Sequence, residues 1–208
     1  MFAGVRDMKR LCVSACLLGV PCRWKGDARP CGAIIESARR AEVRALDPAT
    51  RRALGESHAE SAEVVSHAES AENAEVELVP FCPELAAGLG CPRPPIELVQ
   101  GEASEPSTVS TASTPSTLQP RGSALPIRVL RVDRQGDATD ALRAACEAEA
   151  DALASAGGVD GFVLKSRSPS CGLASPLHDM QGRETGAAPG LWASVARERF
   201  PAAAFREV

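Results

Sequence analysis

The chain predicts an α/β fold, a mostly parallel sheet flanked by helices as a three-layer sandwich, with its chemistry at the C-terminal ends of the strands. Three observations carry this. Short apolar runs at 11–15, 78–81 and 161–164 are each followed by a loop that holds a cysteine: Cys16, Cys82 and Cys171. A helical pattern at 137–156 closes at Gly157-Gly158 just before the third run, so helix, strand and loop follow one another as in an α/β unit. The 208 residues, 44% apolar, suffice for one sizeable core.

In order along the chain, residues 1–10 show no pattern, and 11–15 suit a buried strand. Gly19, Pro21 and Gly26 mark the following stretch as loop. A helix is expected from about Gly32 through Ile34, Ile35 and Ala38 into 39–44. Residues 48–77 differ in composition: Ser-His-Ala-Glu-Ser-Ala-Glu at 57–63 recurs at 66–72. Two copies are too few for a solenoid, so a solvated insertion is expected, and His58 and His67 are set aside with it. Residues 78–81 read as the second strand and 88–95 as a loop stiffened by proline. The Ser, Thr and Pro of 102–120 read as a second flexible insertion. Residues 127–132 alternate as a strand, and Asp137 or Thr139 caps the next helix, whose apolar positions include Leu142, Cys146 and Leu153. Residues 173–190 read as Gly-rich loop, 191–200 as a last helix and 203–205 as a terminal strand. One domain thus spans 1–208, interrupted at 48–77 and 102–120.

Composition excludes several functions. Aromatics are 3% and Tyr is absent, so Ala, Val and Leu are expected to fill the core, and stacking platforms for single strands are disfavoured. The net charge of −4 is uneven: residues 56–77 carry seven Glu and no Lys or Arg, and the rest holds 23 basic against 20 acidic side chains. So small a balance favours a small-molecule ligand over a duplex. No run is long enough for an export signal or a membrane span. A cytoplasmic protein is expected, in which eight cysteines point to metal or catalysis before disulfides.

Loops that follow parallel strands leave one edge of the sheet, so Cys16, Cys82 and Cys171 are expected to meet. Three thiolates suit a soft metal and leave one position open. A cubane iron–sulfur cluster on three cysteines keeps one iron free for a substrate atom. Zinc is the competing choice, and unrelated buried thiols the plain one. Cys12 and Cys146 sit at core positions, while Cys22, Cys31 and Cys91 are potential auxiliaries. Glu84, two residues after Cys82, points to the same side in extended geometry and is a candidate acid/base, or else a surface charge or a charge at a helix N-terminus. Ser168 and Ser170 are candidates to position water or substrate, or else turn residues beside Pro169. Arg23 and Arg93 are candidates to hold a carboxylate, phosphate or polarised carbonyl, or else they cover surface. With two of three histidines set aside, His178 alone makes triads and His-rich metal sites poor hypotheses.

An ordered set of motifs now stands out: Val13-Ser14-Ala15-Cys16-Leu17-Leu18-Gly19, Pro21-Cys22-Arg23-Trp24, Cys82-Pro83-Glu84, Pro92-Arg93-Pro94-Pro95 with Glu97, Asp137-Ala138-Thr139, and Ser168-Pro169-Ser170-Cys171-Gly172. The set resembles the thiouracil desulfurase (desulfidase) family, long catalogued as a bacterial domain of unknown function. The resemblance implies an α/β fold with a 4Fe–4S cluster on Cys16, Cys82 and Cys171. It implies that the fourth iron takes the sulfur of a thiolated nucleobase such as 2-thiouracil while water replaces it at carbon. Glu84 would be the acid/base, and Ser168 would assist at the substrate. Departures fall near the pocket rim: Trp24-Lys25-Gly26 where the family has an aromatic residue and Asp-Gly, Ala87-Gly88-Leu89 for Gly-Gly-Leu, an extra Cys91, and His178-Asp179-Met180 without its glycine. They bear on substrate identity more than on the cluster. The rival functions are a metal- or cluster-binding accessory or sensor protein without turnover, and a zinc hydrolase on three cysteines. The expected partner is a small thio-nucleobase, with modified RNA ranked second, no membrane, and a monomer or homodimer.

Overall fold

The computed structural model describes residues 9–38, 42–43, 76–101 and 126–208. The acidic repeat with His58 and His67, and the 102–120 stretch, lie outside the described residues. Five parallel strands form the first sheet: β1 (Lys9–Ser14), β2 (Glu42–Val43), β3 (Val76–Phe81), β6 (Gly161–Leu164) and β9 (Ala204–Glu207), in the order β2-β3-β1-β6-β9. β3 begins at Val76, two residues inside the stretch set apart by composition, and Glu77 is fixed there by Arg10 Nε at 2.6 Å.

Successive residues of a strand face opposite sides, and these strands use both. Leu11 and Val13 of β1, with Leu78 of β3, pack on one side beneath a 3₁₀ turn (Ala15–Leu18) and α1 (Gly32–Ala38). Cys12, Val79 and Phe81 pack on the other, against α3 (Thr139–Ser155) and α4 (Leu191–Arg199). This gives the three expected layers. The expectation of an aliphatic core fails on the second side. Four of five phenylalanines gather there with the 1% exposed Trp192: Phe162 meets Trp192, Phe200 and Phe205, stacking on Phe205 at 4.8 Å, and Phe81 meets Trp192. Few aromatics are enough when they are concentrated.

A second sheet was not foreseen. β4 (Ile96–Gln100), β5 (Ile127–Arg131), β7 (Ser175–His178) and β8 (Glu184–Ala188) run in the order β5-β4-β7-β8. The strand at 127–131 therefore pairs antiparallel with β4 instead of joining the parallel sheet. Residues 175–188, read as loop, form a hairpin because β7 finds a partner in β4. Its sequence is poor in β-formers, so tertiary pairing overrides propensity. The helix expected into 39–44 stops at Ala38, and Glu42–Val43 pairs with β3.

The two sheets share α3. Leu142 packs with Leu98 and Val129 of the second sheet, and Cys146, Ala150 and Leu153 pack on the first. Asp137 Oδ1 accepts from Thr139 N at 2.8 Å, so the expected capping residue acts from just before the cap position, which is Ala138.

Candidate functional site

β3, β1 and β6 are neighbours, and their C-terminal ends deliver three thiols to one place. Ser14 ends β1 opposite Phe81, the last residue of β3. Cys82 follows Phe81 directly, Cys16 sits in the 3₁₀ turn after β1, and Cys171 is in the turns after β6. All three are buried and line a cavity of about 330 Å³. The sequence-based convergence is therefore present in the structure.

The spacing of these thiols bears on what they could hold. Adjacent strands stand about 4.8 Å apart. Zinc, with Zn–S near 2.3 Å, requires its thiolates within about 4 Å of one another. Among the described residues, no three His, Cys, Asp or Glu side chains are grouped closely enough to hold a single metal ion. A cubane cluster spreads its protein ligands over separate irons, and three soft thiols brought from three loops to one cavity fit that demand. The donor set therefore fits a cluster.

Cys22 is a fourth thiol on the cavity wall, 2% exposed, which the sequence offered only as an auxiliary. Its hydrogen bond to Cys16 holds the Cys16 thiol below its ordinary range, helped by the positive charges of Lys165 and Arg23. Hydrogen bonds to Cys16 and Cys82, then burial, push Cys22 itself well up. Burial likewise pushes Cys171 up, against a hydrogen bond with Ser14. Cys12 and Cys146 are core residues, as expected.

Glu84 lies in the first turn of α2 (Pro83–Ala86), on the cavity wall. Both its oxygens are held. Ser170 Oγ donates to Oε1 at 2.9 Å, and Arg93 donates to Oε2 from Nε at 2.8 Å and Nη2 at 2.5 Å. This changes the picture of two expected substrate contacts. Ser170 is fully buried behind Glu84, and the Arg93 side chain, 3% exposed, is turned onto Glu84. Arg23 lines the cavity at its half-exposed ion pair with Asp27, Nη1 to Oδ2 at 2.6 Å.

Ser168 also lines the cavity. Its Oγ accepts from Cys171 N at 3.1 Å and from Ser170 N at 3.3 Å. A hydroxyl has two acceptor positions and one proton, so the turn consumes the lone pairs and leaves the proton to donate. Gly172 is required by the same turn: a Cβ there would overlap Ser175 Oγ and lie 3.0 Å from the Ser168 backbone. Trp24, from the Pro21-Cys22-Arg23-Trp24 motif, also lines the cavity, as do Lys165 and Arg167, to which the sequence gave no role.

Fold and site together define an α/β protein with a three-thiol pocket and a held carboxylate at the C-terminal edge of a parallel sheet. A family model described as 2-thiouracil desulfurase matches residues 56–207. The chain therefore belongs to the 2-thiouracil desulfurase family. The matched stretch includes Cys82, Glu84 and Cys171; Cys16 lies before it and joins them through the central position of β1. Among solved structures, a [4Fe-4S]-dependent thiouracil desulfidase, TudS, is similar at 21% identity and a TM-score of 0.51, over 96% of this chain and 90% of that one. At that identity the likeness concerns the fold. None of the curated proteins compared matches the chain.

Proposed function

We propose that this protein is a cluster-dependent desulfidase that removes the thiocarbonyl sulfur of a thiolated pyrimidine such as 2-thiouracil. The observation that carries the reading is the set of three buried thiols facing one cavity together with Glu84. Membership of the 2-thiouracil desulfurase family and the [4Fe-4S] dependence of the similar TudS support it. Cys16, Cys82 and Cys171 would hold a 4Fe–4S cluster, which when bound supplies an open iron to take sulfur.

The chain's own groups do the rest. The net reaction exchanges C=S and water for C=O and hydrogen sulfide, with no net electron transfer. Glu84 takes a proton from the attacking water and returns it toward the leaving sulfur. Ser168 Oγ–H donates to the substrate and orients its ring. Arg23, whose half-exposed pair with Asp27 is weakly held, turns to a polar edge of the base at the mouth. A cavity of about 330 Å³ favours a free base or similarly small molecule over modified RNA. All eight cysteines are free of disulfides, which suits the reducing cytoplasm. No described helix is long and apolar enough to cross a membrane.

The test is iron, acid-labile sulfide and the visible spectrum of protein purified without oxygen, beside Cys171→Ser, followed by sulfide release from 2-thiouracil. Iron and sulfide in near-equal amounts, a brown chromophore lost in the variant, and sulfide release support the proposal. Zinc, or metal content unchanged by the substitution, overturns the site. Full cluster loading with no sulfide release from any thiopyrimidine points to the sensor reading instead.

A further inference from the structure

We propose that Arg93 is a positioning residue for Glu84, acting through that carboxylate and not on the substrate; this rests on the desulfidase reading. The side chain makes four hydrogen bonds. Nε and Nη2 donate to Glu84 Oε2 at 2.8 and 2.5 Å, Nη1 donates to Gly90 O at 2.8 Å, and Nη2 also donates to Cys22 O at 2.9 Å. A guanidinium has five N–H donors, so one is left for anything else. The side chain is 3% exposed and borders the cavity, but four of its five donors are already spent on Glu84, Gly90 and Cys22.

The bonds join three segments that meet only in the folded chain. Glu84 belongs to α2, Gly90 to the proline-rich loop, and Cys22 to the loop after β1. The Arg93 backbone adds a fourth tie, N to Trp24 O at 2.9 Å. Ser170, from the loop of Cys171, fixes the other carboxylate oxygen. Glu84 is therefore clamped between two of the thiol-bearing loops, with Arg93 as the part that sets its direction. A planar fork fixes direction in a way that a lysine point charge does not. The Cys22 carbonyl held by this fork also accepts from Cys82 Sγ at 3.8 Å, so the clamp reaches the thiols through the same peptide group.

The experiment compares wild type, Arg93→Lys, Arg93→Met, Glu84→Gln and the double variant Glu84→Gln/Arg93→Met. Readouts are iron and sulfide content, the visible spectrum, kcat and KM with 2-thiouracil, and melting temperature. A misplacement of about 1 Å costs on the order of 100-fold in rate, so kcat of Arg93→Lys and Arg93→Met is expected to fall about that far, with KM within about threefold of wild type and the cluster retained. In the Glu84→Gln background the same Arg93→Met change is expected to alter kcat less than about twofold, because sites that act through one another are not additive. Added guanidinium is expected to restore Arg93→Met and not Glu84→Gln. A raised KM at unchanged kcat, equal losses in both backgrounds, or loss of the cluster on changing Arg93 overturns the proposal. If Arg93→Met does not fold, Arg93→Lys decides by its kcat against KM. Melting temperatures separate this inference from the activity: non-additive losses with no turnover in wild type keep the clamp and remove the desulfidase reading, whereas additive losses remove the clamp.

Discussion

Gly190 tests how the loop of Cys171 is held. Its φ of −63° and ψ of 162° are open to any residue, so alanine meets no backbone strain there. The obstacle is contact. A Cβ on Gly190 would lie 2.6 Å from the carbonyl carbon and oxygen of Ser170 and 2.9 Å from Pro169 O. These are backbone atoms, and heavy atoms relax only near about 3.5 Å, so the segments must part by about 0.9 Å. Three hydrogen bonds resist this: Gly190 N to Gly172 O and Trp192 N to Ser170 O, both 2.8 Å, and Leu191 N to Pro169 O at 3.2 Å. Overpacking of this kind costs about 1–3 kcal/mol, which in a domain of this size lowers the melting temperature by about 2–12 °C. The displaced Ser170 and Cys171 should also lower kcat by on the order of 100-fold. Thermal melting, iron content and sulfide release from 2-thiouracil measure both effects. Gly186→Ala is the control, since nothing lies within 4 Å of a Cβ at that exposed position. If Gly190→Ala melts and turns over like wild type, the loop is not pinned by this approach and the packing argument is wrong.

Other outcomes follow from named contacts. Glu84→Gln is expected to keep iron and sulfide while losing about 100- to 10,000-fold in kcat, the usual worth of a general acid/base; undiminished sulfide release removes that role. Trp192→Ala, which removes a 1% exposed side chain packed edge-on to Phe81 and Phe162, is expected to cost about 3–5 kcal/mol in a urea unfolding curve; a shift below 1 kcal/mol contradicts the packing. For Asp137, burial pushes the carboxyl up, yet hydrogen bonds from Thr139 and the Arg128 guanidinium outweigh it and hold the group below its ordinary value. A lowered folded value means stability that is present above the unfolded pKa, about 3.9, and lost as pH falls through the folded one. The gap in melting temperature between wild type and Asp137→Asn should therefore be full near neutrality and close in strong acid; a gap that widens on acidification reverses the sign. Burial pushes the Cys146 thiol up to about 12, so native protein should resist iodoacetamide there, and Cys146→Ala should keep its iron; rapid native alkylation would show the helix opening.

The parallel sheet and the meeting of Cys16, Cys82 and Cys171 were legible because they rest on local signals. Apolar runs that end in loops make strands, and parallel strands send their loops to one edge. Glu84 does face the cavity, but from the first turn of a helix and not from the extended geometry that its spacing from Cys82 suggested. The second sheet was not legible: Ile96–Gln100 is short and lies beside a proline-rich loop, and 175–188 becomes a hairpin only because β4 offers an edge to β7. The roles of Arg93 and Ser170 were equally hidden, since each reaches from its own loop to Glu84 in α2.

By itself the sequence determined the strands after which Cys16, Cys82 and Cys171 follow and the two long helices, because hydrophobic period and turn residues act within a few positions of the chain. Only the tertiary structure decided where each polar side chain points. It committed Arg93 and Ser170 to Glu84 and left Ser168 with a proton to donate. It also brought Cys22 to the cavity wall beside Cys16 and Cys82. A buried donor or acceptor must find its partner wherever folding has placed one, and that pairing is written in no single stretch of sequence.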